Sequence, residues 1–327
     1  MKLRTLFAFL LAIVAGLQSV KAQEAYVCRT PGTLTFYYDN LRSSREEEVM
    51  KTYDMPADGS TPSWWQDDWS QFYIENVVFD PSFARARPTS TYRWFMDLYG
   101  LRTITGIENL NTSAVTNMSS MFNECTHLTS LDLSHFNTAK VTNMNCMFYE
   151  CTSLTSLNLS SFKTAKVTNM VGMFGGCKAL TSLDLSNFKT AKVTYMGGMF
   201  RNCDRLKTIY AGNEWSTNKV TASNNLFNGC TSLVGGKGTT YDENHVDASY
   251  AHIDGGTSNP GYLSASIRGD VNLDGTVDIA DAVSVLNAMA GQTVAGDANV
   301  NGDFDANGNP VIDIADLVTV LNIMAGQ

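Results

Sequence analysis

The sequence predicts an α/β solenoid that is followed by a small all-α module. Two observations support this prediction. A segment of 26 residues recurs through the middle of the chain, and an acidic loop followed by an apolar helix occurs twice near the end. One short repeat cannot bury its apolar face alone, whereas about four stacked copies can build a continuous core.

The N-terminal segment has the features of a secretory signal peptide. Lys2 and Arg4 precede a short apolar run, and the small residue Ala22 precedes the predicted cleavage site. The apolar run at 6–17 is shorter than the roughly 20 residues that a membrane-spanning helix needs. No later segment is continuously apolar. We therefore expect a secreted or cell-surface protein without a transmembrane segment.

The charge of the chain is strongly acidic and unevenly distributed. It has 23 basic and 32 acidic residues, a net charge of -9. Loss of the three basic residues of the signal peptide leaves about -12. We therefore expect no nucleic-acid partner. Residues 269–327 contain nine Asp and no Glu, Lys, Arg or His, which indicates a cation partner.

The repeated segment begins at successive Val-Thr pairs. VTNMNCMFYECTSLTSLNLSSFKTAK occupies 141–166 and is followed by VTNMVGMFGGCKALTSLDLSNFKTAK at 167–192. Alternation predicts a strand in each copy, with Leu157 and Leu159 pointing inward and Asn158 outward. The rest of each copy has apolar residues at helical spacing, so we expect a helix-like arc that packs against the strands.

The LTSLDLSxF and VTNMxxMFxxC motifs fit the leucine-rich-repeat pattern and resemble the BspA-like leucine-rich-repeat proteins of bacterial surfaces. Flanking segments such as GTLTFYYDN also resemble that family, so that the likeness covers about residues 25–264. The resemblance implies adhesion or partner binding rather than catalysis. A host matrix protein or a glycan is the expected ligand of the solenoid.

Rows of identical side chains recur with the repeat and are expected to fill its core. Five cysteines keep this interval and predict a buried thiol ladder, because equivalent side chains point in parallel rather than at each other. The Met and Phe rows are expected to be core residues. The members are Cys125, Cys151, Cys177, Cys203 and Cys230, Met121, Met147, Met173 and Met199, and Phe122, Phe148, Phe174, Phe200 and Phe227.

The segment DVNLDGTVDIAD at 270–281 matches the ligand pattern of an EF-hand loop, with Gly275 at the sharp turn. The predicted Ca²⁺ ligands are Asp270, Asn272, Asp274, Thr276, Asp278 and Asp281. Asp at position 12, followed by an apolar helix, resembles a type I dockerin repeat. That resemblance implies a cohesin-like protein partner, met by the Ile279-Ala280 pair and its counterpart Ile314-Ala315.

A second copy supports this interpretation, because VDIADAVSVLNAMAGQ returns as IDIADLVTVLNIMAGQ at 312–327. Counted back from its last Asp, the second ligand set is Asp305, Asn307, Asn309, Val311, Asp313 and Asp316. In this register Pro310 stands where Gly is wanted, and Pro cannot supply a positive φ. A register that begins at Asp297 and contains an insertion stays open. Calcium that only holds the small module together is a further alternative.

Two other groups of residues allow more than one interpretation. Lysines of successive copies are expected to form a ridge, which is either simply solvated or contacts an acidic partner such as a sulfated glycan. They are Lys140, Lys163, Lys166, Lys189, Lys192 and Lys219. Aromatic residues at 64–73 either fill a cap that closes the first repeat or form a platform that stacks on sugar rings.

The expected organisation is a signal peptide at 1–22, a β-containing cap at 23–88, the solenoid at 89–233, a capping tail and linker at 234–268, and the dockerin-like calcium module at 269–327. No catalytic or cofactor-binding residues stand out, so we expect the protein not to be an enzyme. The predicted function is secreted or cell-surface binding and adhesion. The alternative is a non-catalytic, carbohydrate-binding accessory of a cellulosome-like assembly that degrades polysaccharides.

Overall fold

The computed structural model describes residues 21–56, 59–65, 73–265, 271–272, 277–292, 294 and 312–326. In these residues the regular structure consists of two separate sheets and three α-helices. The predicted fold class, an α/β leucine-rich-repeat solenoid with an EF-hand-like dockerin module, is therefore wrong. Most of the predicted signal peptide lies outside the described residues.

The first sheet has five strands. Its first two strands form a hairpin, in which buried and more exposed residues alternate at the start of the second strand, and a glycine makes the turn. The strands are β1 (Glu24–Thr30), β2 (Thr33–Asp39), β3 (Lys51–Asp54), β4 (Asn76–Phe79) and β5 (Thr103–Thr105), in the order β3-β1-β2-β4-β5. Gly32, with φ +73, makes the tight turn between β1 and β2. A short helix, α1 (Arg42–Arg45), follows β2.

An aromatic cluster forms the core beneath this sheet. The Phe36 ring lies 5.5 Å from the Trp64 ring and 5.5 Å from the Trp94 ring. Trp64 is almost fully buried and its indole N–H donates to the carbonyl of Trp94 at 2.8 Å. The expectation that the aromatic residues fill the cap is confirmed for Trp64. Trp69 and Phe72 lie outside the described residues, and Tyr73 is exposed.

The second sheet is parallel and contains strands from only two copies of the repeat. β6 (Ser182–Leu185) pairs with β7 (Thr208–Ala211), which pairs with β8 (Leu263–Ala265). The equivalent segments at 130–133 and 156–159 form no strand. A leucine-rich-repeat fold requires a strand in every copy, and this requirement is not met in the described residues.

The arcs between these segments are turns rather than helices, because two positions in each copy have a left-handed backbone. An α-helix needs a φ near -63°, so a positive φ ends it. These positions are occupied by Ser120 and Glu124, Cys146 and Glu150, Gly172 and Gly176, Gly198 and Asn202, and Asn225 and Gly229. The apolar spacing predicted a helix-like arc, but the left-handed residues prevent a continuous helix within each copy.

The left-handed residues direct alternate backbone amides toward the next copy. The amides of Met118, Ser120, Phe122 and Glu124 donate to carbonyls 25 residues further along the chain, at 3.0, 2.8, 2.9 and 2.7 Å. The amides between them close local turns, as from Met121 to the Met118 carbonyl at 3.3 Å. Successive copies are therefore joined by a ladder of hydrogen bonds. We call residues 115–230 the repeat stack.

The core of the repeat stack consists of the predicted rows of identical side chains. The rings of Phe122, Phe148, Phe174 and Phe200 are stacked with centroids 5.7, 5.8 and 5.9 Å apart. The Met and Phe rows are fully buried. The expectation that these side chains form core is confirmed.

The cysteine row also lies in this core, and all seven cysteines of the chain are free thiols. Each thiol of the row donates to the carbonyl of a phenylalanine in the preceding copy, as from Cys177 Sγ to Phe148 O at 3.1 Å and from Cys203 Sγ to Phe174 O at 3.0 Å. These bonds satisfy carbonyls inside the core. The predicted thiol ladder is confirmed.

A buried threonine also joins each copy to the next. The Thr164 hydroxyl accepts a hydrogen bond from the Lys189 amide at 2.7 Å and donates to the Lys189 carbonyl at 3.2 Å. Thr138 makes the same pair of bonds to the backbone of Lys163. Both threonines are completely buried. Their hydroxyls therefore hold the backbone of the following copy in register.

The C-terminal segment contains two helices, α2 (Ile279–Met289) and α3 (Ile314–Met324). Val271, Ala282, Val285 and Val320 form a small core separate from that of the repeat stack. An EF-hand has a helix on each side of its loop. Strand β8 ends at Ala265, and the chain from there to Asp270 is shorter than two helical turns. In the described residues, one helix follows each predicted loop.

Truncation of the central phenylalanine is expected to destabilise the repeat stack. Phe174→Ala removes a fully buried ring from between two stacked neighbours, and it should lower the free energy of unfolding by about 3–5 kcal/mol in urea denaturation. Lys166→Ala on the surface should change it by no more than about 0.5 kcal/mol. Equal, small effects at both positions would contradict the assigned core.

Loss of the buried threonine hydroxyl is also expected to be costly. Thr164→Val leaves the amide and the carbonyl of Lys189 without this partner, which should cost about 1–3 kcal/mol in the same measurement. Thr168→Val is the matched control, because that exposed hydroxyl donates to the Thr142 carbonyl at 3.3 Å and water can replace it. Indistinguishable stabilities of the two variants would refute the proposed role of Thr164.

Candidate functional site

The lysines of the repeat stack lie together along one side of it, as their spacing predicts. We call this surface the lysine edge, and it consists of Lys140, Lys163, Lys166, Lys189, Lys192 and Lys219. All six side chains are exposed. Phe162 and Phe188, which directly precede Lys163 and Lys189, have ring centroids 6.5 Å apart, so neighbouring copies present their lysines at about this interval.

The polar row on the outer face of the strand segments has a local structural role. The side chain of Asp132 accepts a hydrogen bond from the Ser134 amide at 2.9 Å, Asn158 from Ser160 at 3.0 Å, and Asp184 from Ser186 at 2.8 Å. Such bonds form turns that end each segment. Burial raises the pKa of Asp184, and the hydrogen bonds from Ser186 oppose this shift.

The predicted ligands of the first calcium loop are only partly within the described residues. Asp270, Asp274 and Thr276 lie outside them, and Asn272, Asp278 and Asp281 lie inside. Asp281 is completely buried. Its carboxylate accepts hydrogen bonds from the amides of Val271 at 2.6 Å, Asn272 at 3.0 Å and Asp278 at 2.8 Å. These bonds bring the two ends of the loop together.

Asp278 and Asp281 also form a capping box at the start of α2. The Asp278 side chain accepts from the Ala280 amide at 2.7 Å, while the Asp281 carboxylate reaches back to the Asp278 amide. These bonds satisfy amides that a helix leaves unpaired at its first turn. The two residues predicted to be metal ligands therefore also fix the helix boundary.

The second loop repeats this arrangement where it is described. Asp313 caps α3 by accepting from the Ala315 amide at 2.7 Å, and Asp316 is buried and accepts from the Asp313 amide at 2.9 Å. The other predicted ligands, Asp305, Asn307, Asn309 and Val311, lie outside the described residues, as does the alternative register from Asp297.

Carboxylate and amide oxygens are the hard ligands that Ca²⁺ prefers, so the predicted donor set fits this ion in its chemistry. In the described part of the chain, however, no three His, Cys, Asp or Glu side chains are grouped so as to hold a metal ion. The described residues alone therefore do not form a metal site.

Both C-terminal helices have an exposed apolar stripe, and the two stripes are equivalent residue by residue. On α2 the exposed fractions are 64% for Ile279, 48% for Val283, 48% for Leu286 and 43% for Met289. On α3 they are 67% for Ile314, 48% for Val318, 42% for Leu321 and 40% for Met324. Ala280 and Ala315 are exposed as well. The pairs at the helix starts are therefore not buried between the helices.

Only the first residues of these stripes were predicted from the sequence to be exposed. Val283, Leu286 and Met289, like their counterparts on α3, follow the helical spacing of four and three residues, which could have revealed them. They were missed because an apolar helix of a small module is ordinarily assigned to its core. Here the core uses the neighbouring face, with Ala282 and Val285.

The repeat stack is also the part of the chain that is similar to a known family. Residues 93–158 and 132–239 match the family described as "Mycoplasma protein of unknown function, DUF285". This similarity supports the resemblance of the repeats to BspA-like surface proteins, and it does not extend to α2 or α3. No curated protein and no solved structure matches the chain.

Within the described residues, no helix is both long enough and apolar enough to cross a membrane. This finding agrees with the expectation that the chain has no transmembrane segment. The similarity of the repeats to BspA-like surface proteins is consistent with a secreted or surface location.

Calcium binding can be measured on the full chain by titration calorimetry. We expect Ca²⁺ to bind, and Asp270→Ala to weaken one site sharply because that site loses a charged ligand. Asp132→Ala, which removes an exposed carboxylate outside the predicted loops, should bind Ca²⁺ like the wild type. A wild-type chain that gives no heat of binding, or an unchanged Asp270→Ala variant, would contradict the predicted site.

Proposed function

We propose that the protein is a non-catalytic binding protein outside the cell. Its repeat stack recognises a protein or glycan ligand, and its C-terminal segment binds calcium and attaches the chain to a cohesin-like protein. The observation that carries this proposal is the pair of equivalent apolar stripes exposed on α2 and α3. The similarity of the repeats to a surface-protein family supports the extracellular location.

The stripes favour a partner because of what they would otherwise cost. Each stripe leaves four large apolar side chains in contact with water, and exposed apolar patches of this kind mark interaction sites. The inner faces of the helices already supply the core of the segment through Val285 and Val320. The outer stripes are thus unnecessary for packing within the segment, and their duplication is best explained by recognition.

Calcium is included in the proposal because of the loop that precedes α2. The buried Asp281 carboxylate draws the start and the end of this loop together, which is the shape in which positions 1 and 12 of a calcium loop reach one ion. The carboxylates of the loop repel one another, and a divalent cation removes this repulsion. Calcium would therefore stabilise the helices in the arrangement that presents the stripes.

The attachment can be tested with purified cohesin-like modules and the full chain in Ca²⁺. Because the stripes are equivalent, one should suffice for binding. Val283→Asp with Leu286→Asp should leave the dissociation constant within a few-fold of the wild-type value. Adding Val318→Asp and Leu321→Asp should abolish binding, since both stripes then carry desolvated charge.

The control adds charge beside the stripes, with Asn287→Asp and Asn322→Asp, and should bind normally. Calcium titration of every variant separates loss of the stripes from loss of the metal. Full loss of binding in the variant with one charged stripe would exclude equivalent attachment. Self-association of the wild-type chain through the stripes, seen by sedimentation, would point to a second copy of the chain as the partner instead.

A further inference from the structure

The lysine edge is free of acidic residues over most of its length. The segments 134–142, 160–168 and 186–194, which contain five of its lysines, have no Asp or Glu. In the part of the chain that the structure describes, Lys140, Lys166, Lys189 and Lys192 form no ion pair. A chain with a net charge of -9 thus keeps three successive segments that are basic and contain no acidic residue.

The backbone beneath these lysines is held rigidly in register. The Thr138 hydroxyl bonds the amide and the carbonyl of Lys163, and the Thr164 hydroxyl bonds those of Lys189. Both hydroxyls lie in the core, so the loops that carry the lysines cannot spread apart without breaking buried bonds. Like charges on adjacent copies repel, and this repulsion cannot be relieved by movement of the backbone.

A linear polyanion would relieve this repulsion along the whole edge. Each lysine offers a compact charge on a flexible stem, which suits sulfate groups at variable positions along a chain. The lysines follow the direction in which the copies stack, so the ligand would be extended along the stack. Because the backbone beneath the lysines is already held in place, little backbone conformational entropy is lost on binding.

The same surface offers few aromatic rings to a single-stranded nucleic acid. Bases bind by stacking on exposed aromatic rings. Phe136, Phe162 and Phe188, which lie in the same segments as the lysines, are buried, whereas Tyr195, three residues after Lys192, is exposed.

We propose that the lysine edge binds a linear sulfated polysaccharide that lies along the repeat stack. This inference rests on the proposed function, since it names the ligand class that the repeats recognise outside the cell. It does not depend on calcium or on the stripes of α2 and α3.

The full chain should be titrated with heparin and with chemically desulfated heparin in 1 mM EGTA. The salt concentration should be about physiological, because exposed charges are strongly screened at higher salt. We expect heparin to bind and the desulfated chain to bind at least tenfold more weakly. Binding should weaken steeply as salt is raised. Equal binding of the two polysaccharides would overturn the proposal.

A triple charge reversal tests the location. Lys166→Glu, Lys189→Glu and Lys192→Glu together should weaken heparin binding at least tenfold. The matched control reverses three exposed lysines elsewhere, Lys178, Lys207 and Lys237, and changes the net charge by the same amount. Control binding should stay within about twofold of wild type, since charges beyond a Debye length are screened. Thermal unfolding of both variants confirms that they are folded.

Equal losses in the two triple variants would mean a non-specific charge effect and would overturn the proposal. Tighter binding of single-stranded DNA than of heparin would do the same and would make the edge a nucleic-acid surface. A chain that binds cohesin-like modules but not heparin would refute only this inference. A chain that binds heparin but no cohesin-like module would refute the proposed attachment and leave the inference standing.

Discussion

The repeat stack depends on alternate backbone amides having different hydrogen-bond partners. In each arc, one amide closes a local turn and the next donates to the following copy, and this alternation requires a left-handed residue at two positions. The bonds between copies satisfy backbone groups that would otherwise be buried without partners. Everything else in this region follows from that ladder, because it places equivalent side chains directly above one another.

Once the copies are stacked in this way, the position of a row, inside or outside the stack, determines whether its side chains are buried or exposed. Inward rows of Phe and Met fill the core with rings in parallel contact. The buried threonine row hydrogen-bonds the backbone of the following copy, as the Thr164 hydroxyl does with the amide and the carbonyl of Lys189. Outward rows repeat a charge instead, which is how six lysines come to share one edge. A surface residue that recurs in every copy thus forms a continuous row along the stack.

The sequence allowed burial to be predicted far better than conformation. The repeated Phe174 and Cys177 positions could be assigned to the core because their type and period leave few alternatives. The prediction of a helix-like arc was wrong, since the apolar spacing is equally compatible with two successive tight turns. Gly172 and Gly176 mark the two left-handed positions, but Cys146 and Glu150 fill the same positions in the preceding copy and hide the signal. In the C-terminal segment, both helices could be predicted from the duplicated motif. The part that Asp281 plays in the capping box of α2 could not be predicted, because capping and the predicted metal ligation favour the same residue type.

The thiol ladder has a consequence for how the protein matures. Burial raises the pKa of Cys151 to about 12 and that of Cys203 to about 12, so the reactive thiolate form is scarce at neutral pH. The sulfur atoms are also enclosed by the core and engaged with phenylalanine carbonyls. Disulfide exchange requires a thiolate that can reach its target. The thiol ladder is therefore protected from disulfide exchange in the folded repeats, and it holds its place in the core as free thiols.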